Sequence, residues 1–483
     1  MANEFIIELN KFYAGFSPVA HLNSLTEFGN SGHASAMQNV DVLTPDYITQ
    51  GPALSNLTNG TQAGVVSELI NFILDRATAD GVTYGIGATK LFKITPTTVT
   101  SGGSPSWPQA VTGMTDGESV IELLGNLYGF YNKSSGGEIL KMPLSTEVID
   151  PDWGSTTPAT GAGALQSALH PSAKKEDLMI FGNGKYLGTY NATSDTLALT
   201  KLDFGNGTEV ADVDFFSNQW LIAVNSGISG TNRNKSQIFL WEGGAISPIL
   251  SDEVAVGVQK IGFIYPLNGI VFLAFQDLTG GYKIGFVNGR RIKTVAHFTG
   301  SLPGFNQKTL YKDMILFVSS GLIYAAGAVI DELPFSISQH ADGGYATVGA
   351  LAAPFGTPLV ASSDGGSNHR LAKFSGYDTA CTWKSIIIPV IQGRKIGMID
   401  EIIVLTNHLG ASARCDLLLQ YNQQQSDSGT ALQITGTGKR RHVFKDFKHT
   451  RIEDFNVSLD WSNGSASNPC NIRRIIIKGH YVS

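Results

Sequence analysis

Between residues 81 and 376 the chain repeats one local pattern seven times: an apolar run, a Gly/Asn turn, and a second apolar run. The copies are Gly81–Thr95, Asn126–Leu144, Asp177–Asn191, Gln219–Gly244, Gly269–Lys293, Asp313–Val329 and Pro358–Phe374. In each, β-branched and aromatic residues flank turn residues that accept positive φ, which is the signature of a β-hairpin. With Val82, Leu127, Leu178, Trp220, Ile270, Met314 and Leu359 taken as equivalent, successive copies lie 42 to 51 residues apart. Hairpins at that period belong to arrays of four-stranded blades, each burying its faces against its neighbours. The spacing therefore predicts an all-β protein with a seven-bladed β-propeller over residues 65–378. The run Val65–Arg76 fits a helical stripe or the opening strand of the first blade, and the strand is the expectation.

After Tyr377 the rhythm changes. Ser385–Gln392, Glu401–Thr406, Cys415–Tyr421, Ala431–Thr435, Arg441–Phe447, Asn456–Trp461 and Ile472–Lys478 read as seven strands in about a hundred residues. That density predicts a jelly-roll-like β-sandwich over residues 379–483, with Val457, Leu459 and Trp461 pointing inward. Residues 1–64 read as an extended N-terminal arm, broken by Pro18, Pro45 and Pro52 and with few contacts of its own. Its Asn39–Thr44 alternates like a lone strand, which must borrow a partner for its backbone groups. It is expected to close the last blade or to pair with another subunit.

Composition agrees with a turn-rich β protein: 55 Gly in 483 residues and only 15% charged residues. Cys381, Cys415 and Cys470 have no CxxC spacing, so neither a zinc site nor a redox pair is expected, and all three read as buried thiols. The opening MANEFIIELNKF lacks the basic and long apolar regions of a signal peptide, which predicts synthesis and folding in a cytoplasm. The most apolar stretch, Ile261–Phe275, is interrupted by Pro266, Asn268 and Gly269 and reads as strand, turn, strand, so no membrane span is expected. Net charge is -6, divided as about +5 for residues 380–483 and about -11 for the rest. Such a division suits head-to-tail packing of copies or docking on charged partners, and it equally suits ordinary solvated surfaces.

Residues that could carry chemistry each have a plainer alternative. Ser362-Ser363-Asp364-Gly365-Gly366 matches the opening of the Asp-box hairpin of sialidase-type propellers, a turn-shaping motif, and an Asx-type turn is expected. A sialidase-like carboxylate clamp needs three convergent arginines, and the repeats offer only Arg76, Arg233, Arg290, Arg291 and Arg370. Asp212 and Asp214 share a strand face and could form an acid/base couple or bind Ca²⁺, with solvated strand-edge residues as the expectation. Gly182-Asn183-Gly184-Lys185 lacks the length of a phosphate-binding loop and reads as a hairpin turn. His442, Asp446 and His449 have loose metal-like spacing, although 449 falls on the opposite strand face. Beside them, Lys439-Arg440-Arg441 could meet phosphates, but no stacking platform or recognition helix accompanies it, so an acidic neighbouring subunit is expected rather than specific nucleic-acid binding. No catalytic, cofactor-binding or metal-binding residue is assigned, and no cofactor is expected.

The order of arm, propeller and sandwich, with Val65–Lys93, Asn39–Leu54 and the closing block Asn456–Tyr481, resembles propeller-bearing virion structural proteins of tailed bacteriophages, including tail-nozzle and other tail or connector components. The resemblance implies a non-enzymatic virion protein assembled in the host cytoplasm, partnered by copies of itself in a symmetric ring or tube and by other tail proteins. It supplies no catalytic residue. The alternative is a carbohydrate-binding or glycoside-processing propeller that recognises a host-surface glycan through loop aromatics such as Trp107, Trp153 and Trp241. A scaffold propeller of cellular origin is a third reading.

Overall fold

The computed structural model describes residues 4–10, 12, 34–43, 47–59, 62–63, 65–156, 159–160, 165–227, 236–244, 249–252, 258–277, 281–288, 291–327, 336–366, 368–392, 395–422, 431–445, 447 and 452–482. The chain is nearly all-β and divided among many small sheets. Among the described residues the one α-helix is the single turn Trp153–Thr156. Two compact units are present: Ser55–Gly321 with Gly343–Lys373, and Met1–Leu54 with Leu322–Asp342 and Phe374–Ser483.

Seven small, mainly antiparallel sheets follow one another in chain order, and the opening strand of each lies in the first unit. Their opening strands are Ile70–Ile73, Asp116–Leu123, Ser172–Lys175, Thr208–Phe216, Val258–Leu267, Lys308–Tyr311 and Thr347–Ala352. The predicted hairpins follow directly. Thr83–Gly87 pairs with Lys90–Ile94, Asn126–Lys133 with Gly136–Pro143, and Leu178–Asn183 with Tyr186–Asn191. Gln219–Ser226 pairs with Gln237–Trp241, Ile270–Asp277 with Tyr282–Asn288, and Leu359–Ser363 with His369–Tyr377. The sixth copy places Met314–Ser319 and Leu322–Gly327 on either side of its turn. Opening strands join their hairpins through two-residue turns with positive φ at both positions, at Leu124-Gly125, Ser217-Asn218, Asn268-Gly269 and Lys312-Asp313. This is the twist that a tight hairpin requires.

Each sheet packs on the next. Tyr84, Ile86 and Leu91 of the first meet Val120, Leu127 and Tyr131 of the second, and Tyr128 and Phe130 of the second meet Met179, Phe181 and Tyr190 of the third. Ile180 and Leu187 meet Trp220 and Ile222, and Leu221 and Ile238 meet Ile261 and Leu273. Ala350, Leu359 and Leu371 of the seventh pack against Ile70 and Phe92 of the first. Burial of each large apolar side chain contributes about 1.5–3 kcal/mol, so these intersheet layers carry most of the unit's stability.

Val65–Arg76 is extended, as expected, with strands at Val65–Val66 and Ile70–Ile73. Val65 and Val66 pair with Arg370 and His369, and Leu57 donates its N–H to the Leu371 carbonyl at 2.9 Å. Chain from the N-terminal side therefore adds to the seventh sheet, but it is not the segment expected to do so. Val40–Asp41 of the Asn39–Thr44 run pairs instead with Thr49–Gln50.

In the second unit a five-stranded sheet runs Glu4–Leu9, Ile472–Val482, Lys395–Thr406, Ile391–Gln392, with Arg441–Lys445 also on Lys395–Thr406. A six-stranded sheet runs Ala34–Gln38, Thr382–Ser385, Asp454–Asp460, Arg414–Tyr421, Leu432–Thr435, with Ile388–Pro389 also on Asp454–Asp460. Of the seven strands anticipated after Tyr377, Ser385–Gln392 is broken into the short strands Ile388–Pro389 and Ile391–Gln392 after Thr382–Ser385, and the other six have strands in their places. Val457, Leu459 and Trp461 are fully buried, and the three cysteines are free and buried. The N-terminal residues depart from expectation: Glu4–Leu9 and Ala34–Gln38 each add a strand to one of the two sheets, so they are integral rather than an arm with few contacts. Phe5, Leu9 and Met37 point into the core, which gives these strands the partner that an isolated strand lacks.

Candidate functional site

The seven opening strands line one cavity of about 330 Å³ in the first unit. Every opening strand, or the residues flanking it, contributes to its wall, and the charged contributors are Asp75, Arg76, Glu122, Lys174, Asp212, Asp214 and Lys308. Consecutive residues of one strand, such as 120–122, 172–174 and 212–215, line the space together, so these opening strands present an edge to it rather than one face.

The charges are used between sheets. Lys308, on the sixth opening strand, binds both the Asp212 carboxylate of the fourth sheet and the Ile264 carbonyl of the fifth. Asp212 also accepts the N–H of Ile264 at 2.8 Å and of Val213 at 2.9 Å, and its side chain is only 3% exposed. The Lys308 ammonium lies 5.8 Å from the Phe263 ring centroid and 5.7 Å from that of Tyr265, so aromatic faces complete its surroundings. Glu122 of the second sheet pairs with Lys174 of the third, which also donates to the Glu122 carbonyl. Asp75, after the first opening strand, accepts the Thr309 hydroxyl at 2.6 Å and the Ala353 N–H. Asn306 donates to the carbonyls of Asn71 and Gly349, both at 2.8 Å, and Asn71 donates to Asp116 at 2.9 Å.

Burial pushes the Asp212 carboxyl upward, and Lys308 with the two amides opposes it. Burial also raises Asp214 to about 6, with Lys308 opposing and the neighbouring Asp212 adding to the rise. Asp214 accepts its bond from the next residue, Phe215 N–H, at 2.7 Å. Asp212 and Asp214 are thus not solvated strand-edge residues as expected. They lie at the cavity because their strand is the opening one of its sheet, and Val213 and Phe215 line the same wall.

The other sequence candidates disperse. Asp364 caps its hairpin, accepting Gly366 N–H at 2.9 Å and Asn368 Nδ2 at 2.6 Å, and these bonds lower its pKa. Gly184-Lys185 is the turn between two paired strands, with Gly184 at φ +59. Arg76 lines the cavity near Glu122, whereas the Arg370 guanidinium carbon lies over Tyr345, 3.9 Å from the ring centroid. Arg233 and Arg290 lie outside the described residues, as do Asp446 and His449. His442 is buried, and burial lowers its pKa. Trp107, Trp153 and Trp241 are 4%, 2% and 1% exposed and serve as packing, Trp153 edge-on to Tyr128 and Tyr190. Among the described residues no group of three or more His, Cys, Asp or Glu is placed to hold a metal. No described helix is long and apolar enough to cross a membrane.

No known family profile matches the sequence, and no curated protein does. Solved structures that resemble the chain include the extracellular domain of BT4673 from B. thetaiotaomicron, at 12% identity and a TM-score of 0.47, covering 80% of this chain and 48% of that one. The chain thus spans about half the length of that protein. The exo-beta-1,3-galactanase from Phanerochaete chrysosporium matches at 10% identity and a TM-score of 0.32, over 89% of this chain and 100% of that one. The N-terminal domain of Nup159 matches at 8% identity and a TM-score of 0.38, over 66% and 100%.

Proposed function

We propose that this chain is a non-enzymatic structural protein of a tailed-bacteriophage particle, a tail or nozzle component acting through protein–protein assembly. In this reading the seven strand groups are the blades of one closed β-propeller and the second unit is a β-sandwich. The observation that carries it is the use of the cavity's charges: Asp75, Glu122 and Asp212 each bond to another sheet. Carboxylates engaged in this way serve as cross-sheet bonds that stiffen the unit, whereas a hydrolase needs a pair poised at a scissile bond. Trp107, Trp153 and Trp241 are buried, so these three are not offered for stacking on a glycan. Assembly takes place in the host cytoplasm, and copies associate in a symmetric ring or tube with other tail proteins.

Electron microscopy and light scattering of the purified chain test this. Rings, tubes or particle-bound copies are expected, together with silence on a glycan array and with chromogenic glycosides. A dispersed monomer that binds a glycan saturably, or turns over a glycoside, would replace the proposal with the carbohydrate reading.

A further inference from the structure

We propose that the outer face of the five-stranded sheet holds an anion site for a phosphate-bearing ligand, built by Arg440, Arg441, Arg473 and Arg474. The four arginines line one cleft of about 520 Å³ together with Asn10, Leu405 and Thr406. Strand register explains how they meet. Arg441 and Arg474 stand directly opposite Leu405 on its two neighbouring strands, so the three side chains share one face. On a regular strand Arg473 would point to the opposite face. The pairing shifts between Leu405 and Thr406, whose partners are Arg474 and Ile472, so Arg473 is the extra residue of a β-bulge. A bulge re-aims its side chain, which accounts for the presence of both adjacent arginines in the cleft. Arg440 is held at the rim by its carbonyl, which accepts the Thr406 N–H at 2.9 Å.

Charge on this face is uneven. Toward the other end of the same sheet a second bulge, at Asp400, puts Asp400 and Glu401 side by side, and both are answered. His480 lies 2.8 Å from Asp400, and Lys478 and Lys445 lie 3.2 and 3.5 Å from Glu401. In the arginine cleft, the one carboxylate among the described residues within ion-pair distance is Glu8, 3.6 Å from Arg474. Four guanidiniums against one carboxylate leave an excess of positive charge over the apolar floor of Leu405. A carboxylate's two oxygens are saturated by one guanidinium fork, whereas a phosphate offers more acceptor oxygens and a second negative charge and can engage several forks at once. The shared chemistry is the phosphate group, whether free or esterified.

Titration calorimetry on the full chain at fixed ionic strength tests the site, with inorganic pyrophosphate as the free anion and glucose 6-phosphate as the ester. Saturable binding of one pyrophosphate per chain is expected, weakened about tenfold or more in R441A/R474A. The charge-matched pair K445A/K478A, at the other end of the sheet, should stay within about twofold of the parent. R441K/R474K keeps the charge but loses the forks, and should bind about fivefold more weakly. Binding of the ester as well as pyrophosphate assigns the site to phosphate groups in general, and binding of pyrophosphate alone assigns it to the free anion. Absence of saturable binding to either probe, or equal losses in the arginine and lysine pairs, overturns the proposal. Thermal melts without ligand verify that all three variants are folded.

Discussion

The cavity of the first unit and the outer sheet face of the second carry charge in opposite ways. In the cavity Asp212, Lys308, Glu122 and Lys174 are paired across sheets, and an unmatched charge there would be costly to bury. On the outer face the one carboxylate among the described residues within ion-pair distance of Arg440, Arg441, Arg473 and Arg474 is Glu8, beside Arg474, which solvent permits because water screens like charges. Asp75, Glu122, Lys174, Asp212 and Lys308 in the cavity bond between sheets, Asp214 bonds only within its own strand, and the groups of the cleft retain capacity to bind something else.

The comparison can be broken most severely at Lys308. Lys308→Met leaves the Asp212 carboxylate buried without its cation and should lower unfolding stability by about 3–5 kcal/mol in denaturant titration. A loss below about 1 kcal/mol would mean that the pair holds little together. Asn306→Ala removes bonds to two backbone carbonyls and should cost about 1–3 kcal/mol by the same measurement. Asp214→Asn sharpens the account through pH. The folded carboxyl titrates near 6, above its ordinary 3.8, so the native state holds this proton more tightly than the unfolded chain does. Stability should therefore fall as pH rises between those two values, and the burden is fully present above about 6. The variant should melt a few degrees higher than the parent at pH 8 and show no gain at pH 3.5, read by calorimetry. A gain at both pH values would point to packing rather than charge. The smallest effect belongs to the cleft: R441A/R474A should change stability by no more than about 0.5 kcal/mol, since exposed arginines there hold no sheet together.

The hairpins were legible because turn chemistry and strand propensity are local. Asn268-Gly269 between two apolar runs specifies a tight turn without reference to anything distant. The cavity was not legible, because Lys308 and Asp212 are 96 residues apart and meet only when the fourth, fifth and sixth sheets are assembled. The same gap explains why Asp212-Val213-Asp214 read as a wet edge: alternation gives the period of a strand but not what its polar face looks onto. Trp107, Trp153 and Trp241 flank turns in sequence and read as loop aromatics, yet intersheet packing claims them. Glu4–Leu9 was hidden by distance, since its partner lies at Ile475–His480. Arg473 was hidden by a bulge, which shifts register by one residue and leaves no trace in the amino-acid pattern.

The most direct test is a double-mutant cycle on Asp212→Leu and Lys308→Met, followed by denaturant unfolding. Each single variant leaves one buried charge alone, while the double removes both, so the double should be more stable than either single, with a coupling of at least about 2 kcal/mol. Additive, near-neutral effects of the two substitutions would contradict the claim that these charges bind the sheets to one another.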